Sequence, residues 1–139
     1  MDVDVGCPVC RAVRGDPPPP GGTIYADGRW WAAHAPTPPA PPGRLLLTPV
    51  RHGASLADLS EREAAALGPL LARLAAALQA ETGANRVDVA TFADTPADEE
   101  RHVCLHLIPR GPGATAVRDV VALARRVADH LRAHRERAV

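Results

Sequence analysis

Aromatic residues are scarce in this sequence of 139 residues, which contains one Phe, one Tyr and two Trp. The core must therefore be built mainly from Leu, Val and Ala. An excess of either charge is also absent, because 16 basic residues balance 16 acidic ones. Proteins that bind nucleic acid or anionic membranes nonspecifically usually carry a positive excess, so the composition argues against both classes of partner.

Long apolar segments are missing as well. The longest, residues 44–50 and 64–78, are short or interrupted by charge, so we expect no membrane-spanning helix. Residues 1–6 are acidic and contain no apolar signal region, which makes a cytoplasmic location the expectation. The length of 139 residues fits one domain, residues 1–139, that is large enough to bury a stable core.

Cysteines are few, and two of the three lie close together in Cys7-Pro-Val-Cys10, whereas Cys104 stands alone. Three thiols cannot all pair within one chain, and the CxxC spacing suits a metal better than a structural disulfide. The alternatives are a redox pair or two ordinary buried thiols. No thioredoxin-like pattern surrounds the motif.

A β-hairpin is predicted around Asp27-Gly28, which is a strong signal for a tight turn. The flanking segments 23–26 and 29–34 contain residues that favour strand. Side chains alternate between the two faces of a strand, so Trp30 and Trp31 should point in opposite directions. We expect one of these rings in the core and the other partly exposed.

Two proline-rich segments, residues 11–22 and 36–42, are expected to be extended because proline cannot continue a helix or donate to a sheet. His34 ends a predicted strand beside the second segment, and we expect it to be a surface or capping residue. An apolar strand at residues 44–48 should follow and end at Pro49.

Two amphipathic helices are also predicted. Residues 60–63 form a capping box, and leucines recur at helical spacing until a glycine ends the segment. Pro69 lies inside this long helix and should kink it or split off its first turns. A C-terminal helix is predicted from about 115 to 136, on which His130 and His134 should be solvated.

Two further strands complete the pattern, one at residues 87–91 and one at residues 102–108, and the acidic segment 94–100 connects them. The order of elements is then two strands, a strand, a helix, two strands and a helix. This order predicts an α+β domain with helices packed on a mostly antiparallel sheet.

The sequence His102-Val103-Cys104-Leu105-His106 carries the main chemical signal. Alternation along a strand would place residues 102, 104 and 106 on one face and the apolar residues on the other. Three such polar side chains are costly to bury without partners, which favours a ligand or catalytic role. The alternative is a set of half-exposed polar residues on an edge strand.

A structural zinc site is the interpretation that unites the CxxC motif with this strand. Zinc in a structural site takes four nitrogen or sulfur ligands in a tetrahedron, and Cys7 and Cys10 would supply two thiolates. His52 follows an apolar strand and His102 opens the later one, which makes them the leading candidates for the remaining ligands. The predicted metal ligands are therefore Cys7, Cys10, His52 and His102.

Two stretches of the chain resemble the histidine-triad (HIT) superfamily. Residues 42–52, PGRLLLTPVRH, are similar to its proline-glycine, apolar strand, proline, basic, histidine passage. Residues 102–110, HVCLHLIPR, are similar to its signature strand of alternating histidines, with Cys104 in place of the middle histidine. The resemblance covers roughly residues 7–110. Zinc-bearing branches, including relatives of galactose-1-phosphate uridylyltransferase, use an N-terminal CxxC, a later histidine and the first triad histidine as ligands, which implies the same four residues here.

This resemblance also implies a fold and an activity. The fold is an antiparallel sheet with a long helix, commonly paired into a homodimer through helix and strand. In the enzymes, the middle histidine attacks the α-phosphorus of a nucleotide and forms a covalent nucleotidyl intermediate. Cys104 holds that position here, and His106 would contribute to the phosphate environment. A thiolate would form a thiophosphate ester instead, so the family mechanism cannot simply be copied.

Other positions depart from the family pattern. The acidic segment 94–100 replaces a Gly-rich segment with Gln or Ser that binds phosphates, and its carboxylates would repel a polyphosphate. Arg44 stands where relatives often have histidine, and it could contact a phosphate or merely cap the strand end. Cys104 could be a thiolate activated by His106 or the metal, a small buried replacement in a retired site, or an additional zinc ligand.

Three functions follow as hypotheses from these residues. The first is an enzyme derived from nucleotidyl hydrolases or transferases that acts on a phosphate ester or anhydride, with Cys104 and His106 as catalytic residues. The second is a zinc-stabilised module that binds a nucleotide or another small ligand without turnover. The third is new thiol-dependent chemistry on a substrate that is not a polyphosphate, selected by the segment 94–100.

Overall fold

The computed structural model describes residues 6–37, 39–52, 55–92 and 102–134. The acidic segment 94–100 and the last residues of the predicted C-terminal helix lie outside the described residues. In the described part the elements are α1 (Pro8–Val13), β1 (Thr23–Ala26), β2 (Trp30–His34), β3 (Leu45–Pro49), α2 (Glu61–Thr82), β4 (Arg86–Thr91), β5 (Leu105–Arg110), α3 (Pro112–Thr115) and α4 (Val120–Ala133), with a short 3-10 turn at Leu56–Asp58.

The strands form one five-stranded sheet in the order β1-β2-β3-β5-β4. Every neighbouring pair is antiparallel, which confirms the predicted α+β class with an antiparallel sheet, a long helix and a C-terminal helix. β5 lies between β3 and β4, with Leu46 opposite His106 and His106 opposite Ala90. The predicted signature strand therefore has a sheet neighbour on each side.

The long helix α2 begins with the predicted capping box. The Ser60 hydroxyl accepts a hydrogen bond from the Glu63 N–H at 3.1 Å, and the Glu63 carboxylate accepts one from the Ser60 N–H at 2.7 Å. Gly83 ends the helix with a φ of 73°. The expectation that Pro69 splits the helix is wrong, because α2 is continuous from Glu61 to Thr82 and Pro69 lies on its exposed side, where water can reach the carbonyl that loses its donor.

Glu63 also ties the start of α2 to the sheet. The Trp30 indole N–H donates to the Glu63 carbonyl oxygen at 3.0 Å, and the Arg51 guanidinium donates to the Glu63 carboxylate at 2.9 Å. The hydrogen bond from Arg51 holds the pKa of the buried Glu63 carboxyl below its usual value. These contacts fix the helix against the ends of β2 and β3.

The core lies between one face of the sheet and the helices α2 and α4. It is built mainly from Leu, Val and Ala, as the composition predicts, with Trp30 as its one large ring; the buried residues include Ile24, Ala32, Leu45, Leu47, Leu74, Leu78, Leu105, Leu107, Leu123 and Val127. None of the described helices is both long enough and apolar enough to cross a membrane.

The opposite face of the sheet is covered as well, so both tryptophans are buried instead of one. Trp31 was expected to leave its ring partly exposed if Trp30 filled the core, but both are buried. Trp31 is enclosed by α1 and the proline run at 17–20, and its indole N–H donates to the Thr23 hydroxyl at 3.1 Å. Sequence reasoning treated that proline run as a loop without a packing partner.

Several elements differ from the predictions in their bounds or were not predicted. α1 was not predicted, since residues 11–22 were expected to be extended throughout. α4 begins at Val120 instead of about 115, because the Asp119 carboxylate accepts from the Ala122 N–H and caps the helix there. β5 begins at Leu105 instead of 102, and before it the Val103 carbonyl accepts from the Thr48 hydroxyl at 2.7 Å.

Candidate metal centre and adjacent cleft

The first turn of α1 brings two thiols together. Cys7 is the N-cap of this helix, and its sulfur accepts from the Cys10 N–H at 3.4 Å. Neither cysteine takes part in a disulfide, and both are almost completely buried. The CxxC spacing therefore produces a pair of sulfur atoms on one side of a short helical turn, which is the arrangement that a tetrahedral metal ion needs.

Two imidazoles meet these thiols from the ends of neighbouring strands. His52 follows β3 and His102 precedes β5. The Cys10 sulfur lies 3.2 Å from His52 Nδ1 and 3.4 Å from His102 Nδ1, and the Cys7 sulfur lies 3.6 Å from His102 Nδ1. The four ligand atoms all lie within 4.8 Å of one another. The structure therefore places the four predicted ligands in one cluster that could hold a metal ion.

Three of the six separations between the ligand atoms fit a small tetrahedral ion. Bonds of zinc to sulfur and nitrogen separate neighbouring ligand atoms by roughly 3.3–3.8 Å in a tetrahedron. The three contacts of 3.2–3.6 Å lie close to that range. The donor set of two thiols and two imidazoles also suits zinc.

His102 is held in the tautomer that a metal ligand requires. Its Nε2 lies 2.6 Å from the Pro49 carbonyl oxygen, so Nε2 carries the proton and Nδ1 presents its lone pair to the thiols. Burial lowers the pKa of His102, which further favours the neutral ring. A proline at the end of β3 thus orients a predicted ligand at the start of β5.

His106 lies in a different environment, in a cleft on the outer face of the sheet. The Phe92 ring meets it edge-on with the ring centres 4.9 Å apart. Burial and the nearby Arg44 guanidinium lower the pKa of His106. Nδ1 of His106 and Nε of Arg44 are buried and have no hydrogen-bond partner among the described residues.

The residues from 35 to 43, which we call the proline loop, form one wall of this cleft. The cavity between the loop and the sheet has a volume of about 380 Å³ and is lined by Ala35, Pro36, Pro39, Ala40, Pro41, Arg44, Leu46 and His106. A second cavity of about 420 Å³ adjoins it beneath α1 and shares Pro36 and Leu46. The cleft therefore combines an apolar wall with two cationic or hydrogen-bonding side chains on its floor.

Cys104 is half-buried and directly precedes β5. The side chain keeps some exposure to solvent, but the protein around it is dense enough that desolvation raises the pKa of the thiol to about 12. The preceding residue is fixed by the hydrogen bond from Thr48 to the Val103 carbonyl. Cys104 thus lies in the chain between the metal cluster and the cleft.

His34 was expected to be a surface or capping residue, and the structure excludes the surface position. The side chain is 1% exposed, and both of its ring nitrogens are hydrogen-bonded to the backbone of the proline loop. Burial lowers its pKa. The only sequence signal was its position between a strand and a run of prolines that lack N–H groups of their own.

His130 also departs from its predicted solvated state. It is half-buried, its Nδ1 lies 3.2 Å from a Glu81 carboxylate oxygen, and its ring stacks on His134 with the centres 4.3 Å apart. The Glu81 contact crosses from α4 to α2. His130 therefore links the two helices, whereas His134 is exposed, as predicted.

No family profile and no curated protein matches the sequence. Solved structures do match the fold. A Zn-bound histidine triad family protein from Mycobacterium smegmatis has a TM-score of 0.66 and 25% sequence identity, over 91% of this chain and 94% of that one. A Hit-like protein involved in cell-cycle regulation from Bartonella henselae has a TM-score of 0.69 and 20% identity, over 94% of this chain and 100% of that one. A hypothetical histidine triad nucleotide-binding protein from Sulfolobus tokodaii has a TM-score of 0.69 and 14% identity, over 91% and 93%.

The chain has the histidine-triad fold. The predicted resemblance to this superfamily is confirmed, and the likeness to a Zn-bound protein agrees with the cluster of Cys7, Cys10, His52 and His102. Cys104 occupies the place of the middle triad histidine in the signature sequence. The histidine-triad fold thus accounts for the sheet, the long helix and the position of both candidate sites.

Proposed function

We propose that this chain is a zinc-stabilised protein of the histidine-triad type whose outer cleft binds a small phosphorylated ligand, with a nucleotide as the first candidate. The observation that carries this proposal is the pairing of Arg44 and His106 on the cleft floor, each with a buried nitrogen that lacks a hydrogen-bond partner among the described residues. Buried polar groups are usually satisfied. A phosphate oxygen would satisfy both.

The metal part of the proposal assigns a structural zinc ion to Cys7, Cys10, His52 and His102. α1 is only six residues long, so its own hydrogen bonds supply little stability. A metal held by both thiols and by the ends of β3 and β5 would fasten α1 to the outer face of the sheet. Because α1 and the segment after it line the adjoining cavity, the ion would also shape the ligand site.

The ligand part of the proposal rests on the contrast between the polar floor of the cleft, with Arg44 and His106, and its apolar wall. An arginine guanidinium binds phosphate through charge and paired N–H donors, and the His106 imidazole can add one more donor. The prolines and Leu46 offer apolar surface against which a nucleobase or another flat group can pack. Relatives bear names such as histidine triad nucleotide-binding protein, which supports a nucleotide as the first ligand to test.

Calorimetry with adenosine 5′-monophosphate and with adenosine would test the phosphate assignment. We expect the phosphorylated ligand to bind at least about tenfold more tightly, since a charge-assisted contact to Arg44 contributes roughly 1.5–3 kcal/mol. Arg44→Gln should remove that preference. Arg125→Gln is the matched control, because Arg125 lies on the exposed surface of α4. Equal binding of both ligands to the unchanged protein would refute the assignment.

Turnover by Cys104 is a second candidate function, favoured by its position two residues before His106 in the place of the family's nucleophile. Burial keeps the Cys104 thiol protonated at neutral pH, so the thiol would first give its proton to the neutral His106 imidazole. The sulfur would then form a bond to the phosphorus as the bond to the leaving oxygen breaks, and the protonated His106 would pass the proton to that oxygen. Water would then cleave the thiophosphate ester and regenerate the thiol. Phosphate release that Cys104→Ser abolishes while ligand affinity is retained would establish this enzyme, and binding without release would leave the non-catalytic module.

The third hypothesis is thiol chemistry on another class of substrate, and it can be tested with the same unchanged protein. A panel of neutral and cationic esters should be hydrolysed if Cys104 acts on a substrate that is not a polyphosphate. Loss of that hydrolysis in Cys104→Ser would then assign it to the thiol. Inactivity towards the whole panel removes this hypothesis.

We further propose a cytoplasmic homodimer of a single domain spanning residues 1–139. A cytoplasmic location would keep the three cysteines reduced, and metal binding requires this of Cys7 and Cys10. β4 is an edge of the sheet, and Val89 and Phe92 beside it are 46% and 49% exposed. An apolar edge strand of this kind offers a surface for a second copy. Sedimentation analysis should give twice the chain mass, and Val89→Lys should restore the monomer.

A further inference from the structure

His34 lies at the end of β2 and joins the two ends of the proline loop. Its Nδ1 lies 2.7 Å from the Ala35 carbonyl oxygen, and the Gly43 N–H donates to its Nε2 at 2.8 Å. A neutral imidazole that donates from Nδ1 and accepts at Nε2 satisfies both contacts. The side chain therefore holds the first and last residues of the loop at a fixed separation.

Backbone hydrogen bonds hold most of the proline loop, and His34 holds its Gly43 end. The Ala35 N–H donates to the Arg44 carbonyl oxygen at 2.9 Å, and the Ala40 N–H donates to the Pro36 carbonyl oxygen at 3.0 Å. Five of the nine residues are prolines, which have no backbone N–H. Gly43 has a φ of +100°, and a Cβ there would lie 3.0 Å from Pro109, so this end of the loop is also close to β5. Since the Gly43 N–H bonds to a side chain and not to a sheet neighbour, the position of this end of the loop depends on His34.

The loop in turn forms the wall of the proposed ligand cleft. Pro36, Pro39 and Pro41 line the same cavity as Arg44 and His106. We propose that His34 is the positioning residue of this cleft: its neutral imidazole holds the Gly43 end of the proline loop in place, and its protonation releases that end. The effect on affinity rests on the proposed function, whereas the effect on the loop does not.

Protonation would oppose the observed contacts directly. A second ring N–H would point at the Gly43 N–H across 2.8 Å, and Gly43 would lose its acceptor. Burial holds the pKa of His34 below its ordinary value of 6.5, although the hydrogen bond to Ala35 acts in the other direction. The Gly43 end of the loop is therefore held at neutral pH and released as the pH falls through the lowered pKa of His34 in the folded protein.

The charged groups near His34 do not supply a substitute for this switch. Arg11 and Asp16 line the adjoining cavity with opposite charges, and Arg44 follows Gly43 in the chain. The residue opposite His34 on β3 is Leu45, which is neutral. The pH dependence of the loop should thus follow the imidazole of His34.

The test uses the zinc-loaded protein and two substitutions of His34. His34→Gln keeps a neutral side chain that can accept from Gly43 and cannot titrate, whereas His34→Phe keeps a ring without polar atoms. Protection of the Gly43 amide, which is the ratio of its intrinsic exchange rate at a given pH to the rate measured by NMR without ligand, should be high at about pH 7.5 in the unchanged protein and should fall as the pH is lowered through the pKa of His34. Protection should stay high over the same pH range in His34→Gln and be low throughout that range in His34→Phe.

Affinity for adenosine 5′-monophosphate supplies the second readout. Between about pH 7.5 and about pH 5.5 the unchanged protein should lose about tenfold more affinity than His34→Gln, since the ligand phosphate and the metal ligands titrate alike in both proteins. His34→Phe should bind weakly throughout. Zinc content is measured in parallel.

The two readouts separate the two proposals. A Gly43 amide that exchanges quickly at neutral pH, or that follows the same pH profile in His34→Gln, would overturn the role of His34 whatever the ligand does. If the amide behaves as expected while the nucleotide binds to none of the proteins, His34 holds the loop and the proposed ligand is wrong.

Discussion

The metal cluster and the cleft lie at the two ends of one short stretch, residues 102–106, yet their polar contacts differ. At the first end, His102 is buried with Nε2 bonded to the Pro49 carbonyl and Nδ1 close to both thiols. At the other end, His106 has a buried Nδ1 without a hydrogen-bond partner among the described residues, and Arg44 has the same feature. In the function proposed above, the first end stabilises the fold and the second binds a ligand from outside the chain.

Substitution of a metal ligand tests the first half of this comparison and should have the largest effect. Purified protein should contain close to one zinc per chain. We expect Cys7→Ser to lose the metal and to lower the free energy of unfolding by more than about 3 kcal/mol, because metal binding couples directly to folding. Elemental analysis and urea unfolding measure the two quantities.

Cys104→Ser is the matched control, since it changes the same atom type on the cleft side. This variant should keep the zinc and unfold within about 1 kcal/mol of the unchanged protein. If Cys104→Ser instead loses the metal, Cys104 is itself a ligand and the division into two ends is wrong.

Glu63→Ala should have the next largest effect and acts beside the metal end without touching the cluster. It removes the partner of Arg51 and one half of the capping box, so we expect a loss of about 2 kcal/mol in unfolding free energy. Glu61→Ala, in the same first turn but exposed, should cost less than about 0.5 kcal/mol.

The lowered pKa of Glu63 predicts how its contribution to stability changes with pH. Its folded pKa lies below the ordinary value, so its contribution is complete above that ordinary value and is lost as the pH falls through the lowered one. Urea unfolding from neutral to acidic pH should show a steeper loss in the unchanged protein than in Glu63→Ala. Identical slopes would mean that the Arg51 contact contributes nothing to stability.

Thr48→Val tests the segment 102–106, which joins the metal cluster to the cleft. The Thr48 hydroxyl donates to the Val103 carbonyl, and valine has nearly the same shape without the donor. We expect a loss of about 1 kcal/mol in unfolding free energy and weaker retention of zinc against a chelator, because Val103 follows His102. Thr91→Val on the exposed edge strand is the control, and equal zinc retention in both variants would remove Thr48 from the support of the cluster.

The sequence predicted the metal end better than the cleft for a physical reason. Cys and His are common zinc ligands, so the CxxC spacing picked out Cys7 and Cys10, and the positions of His52 and His102 beside strands made them the leading candidates before the family resemblance implied all four. Caps such as Ser60 and Gly83 bounded α2 in a similar way. The cleft wall depends on long-range contacts of prolines, which have no periodic pattern. The burial of His34 and Trp31 is a consequence of that covering and could not be read from local sequence.

Arg44→Met should have the smallest effect on stability, and it tests the comparison most directly. The Arg44 Nε is buried without a partner among the described residues, so replacing the side chain with an apolar one of similar length removes an unsatisfied group. We expect the free energy of unfolding to be unchanged or to rise by up to about 1 kcal/mol, while affinity for adenosine 5′-monophosphate falls. A residue kept for the fold would behave in the opposite way: a clear loss of stability in Arg44→Met with unchanged affinity would show that the cleft end, like the metal end, is part of the scaffold.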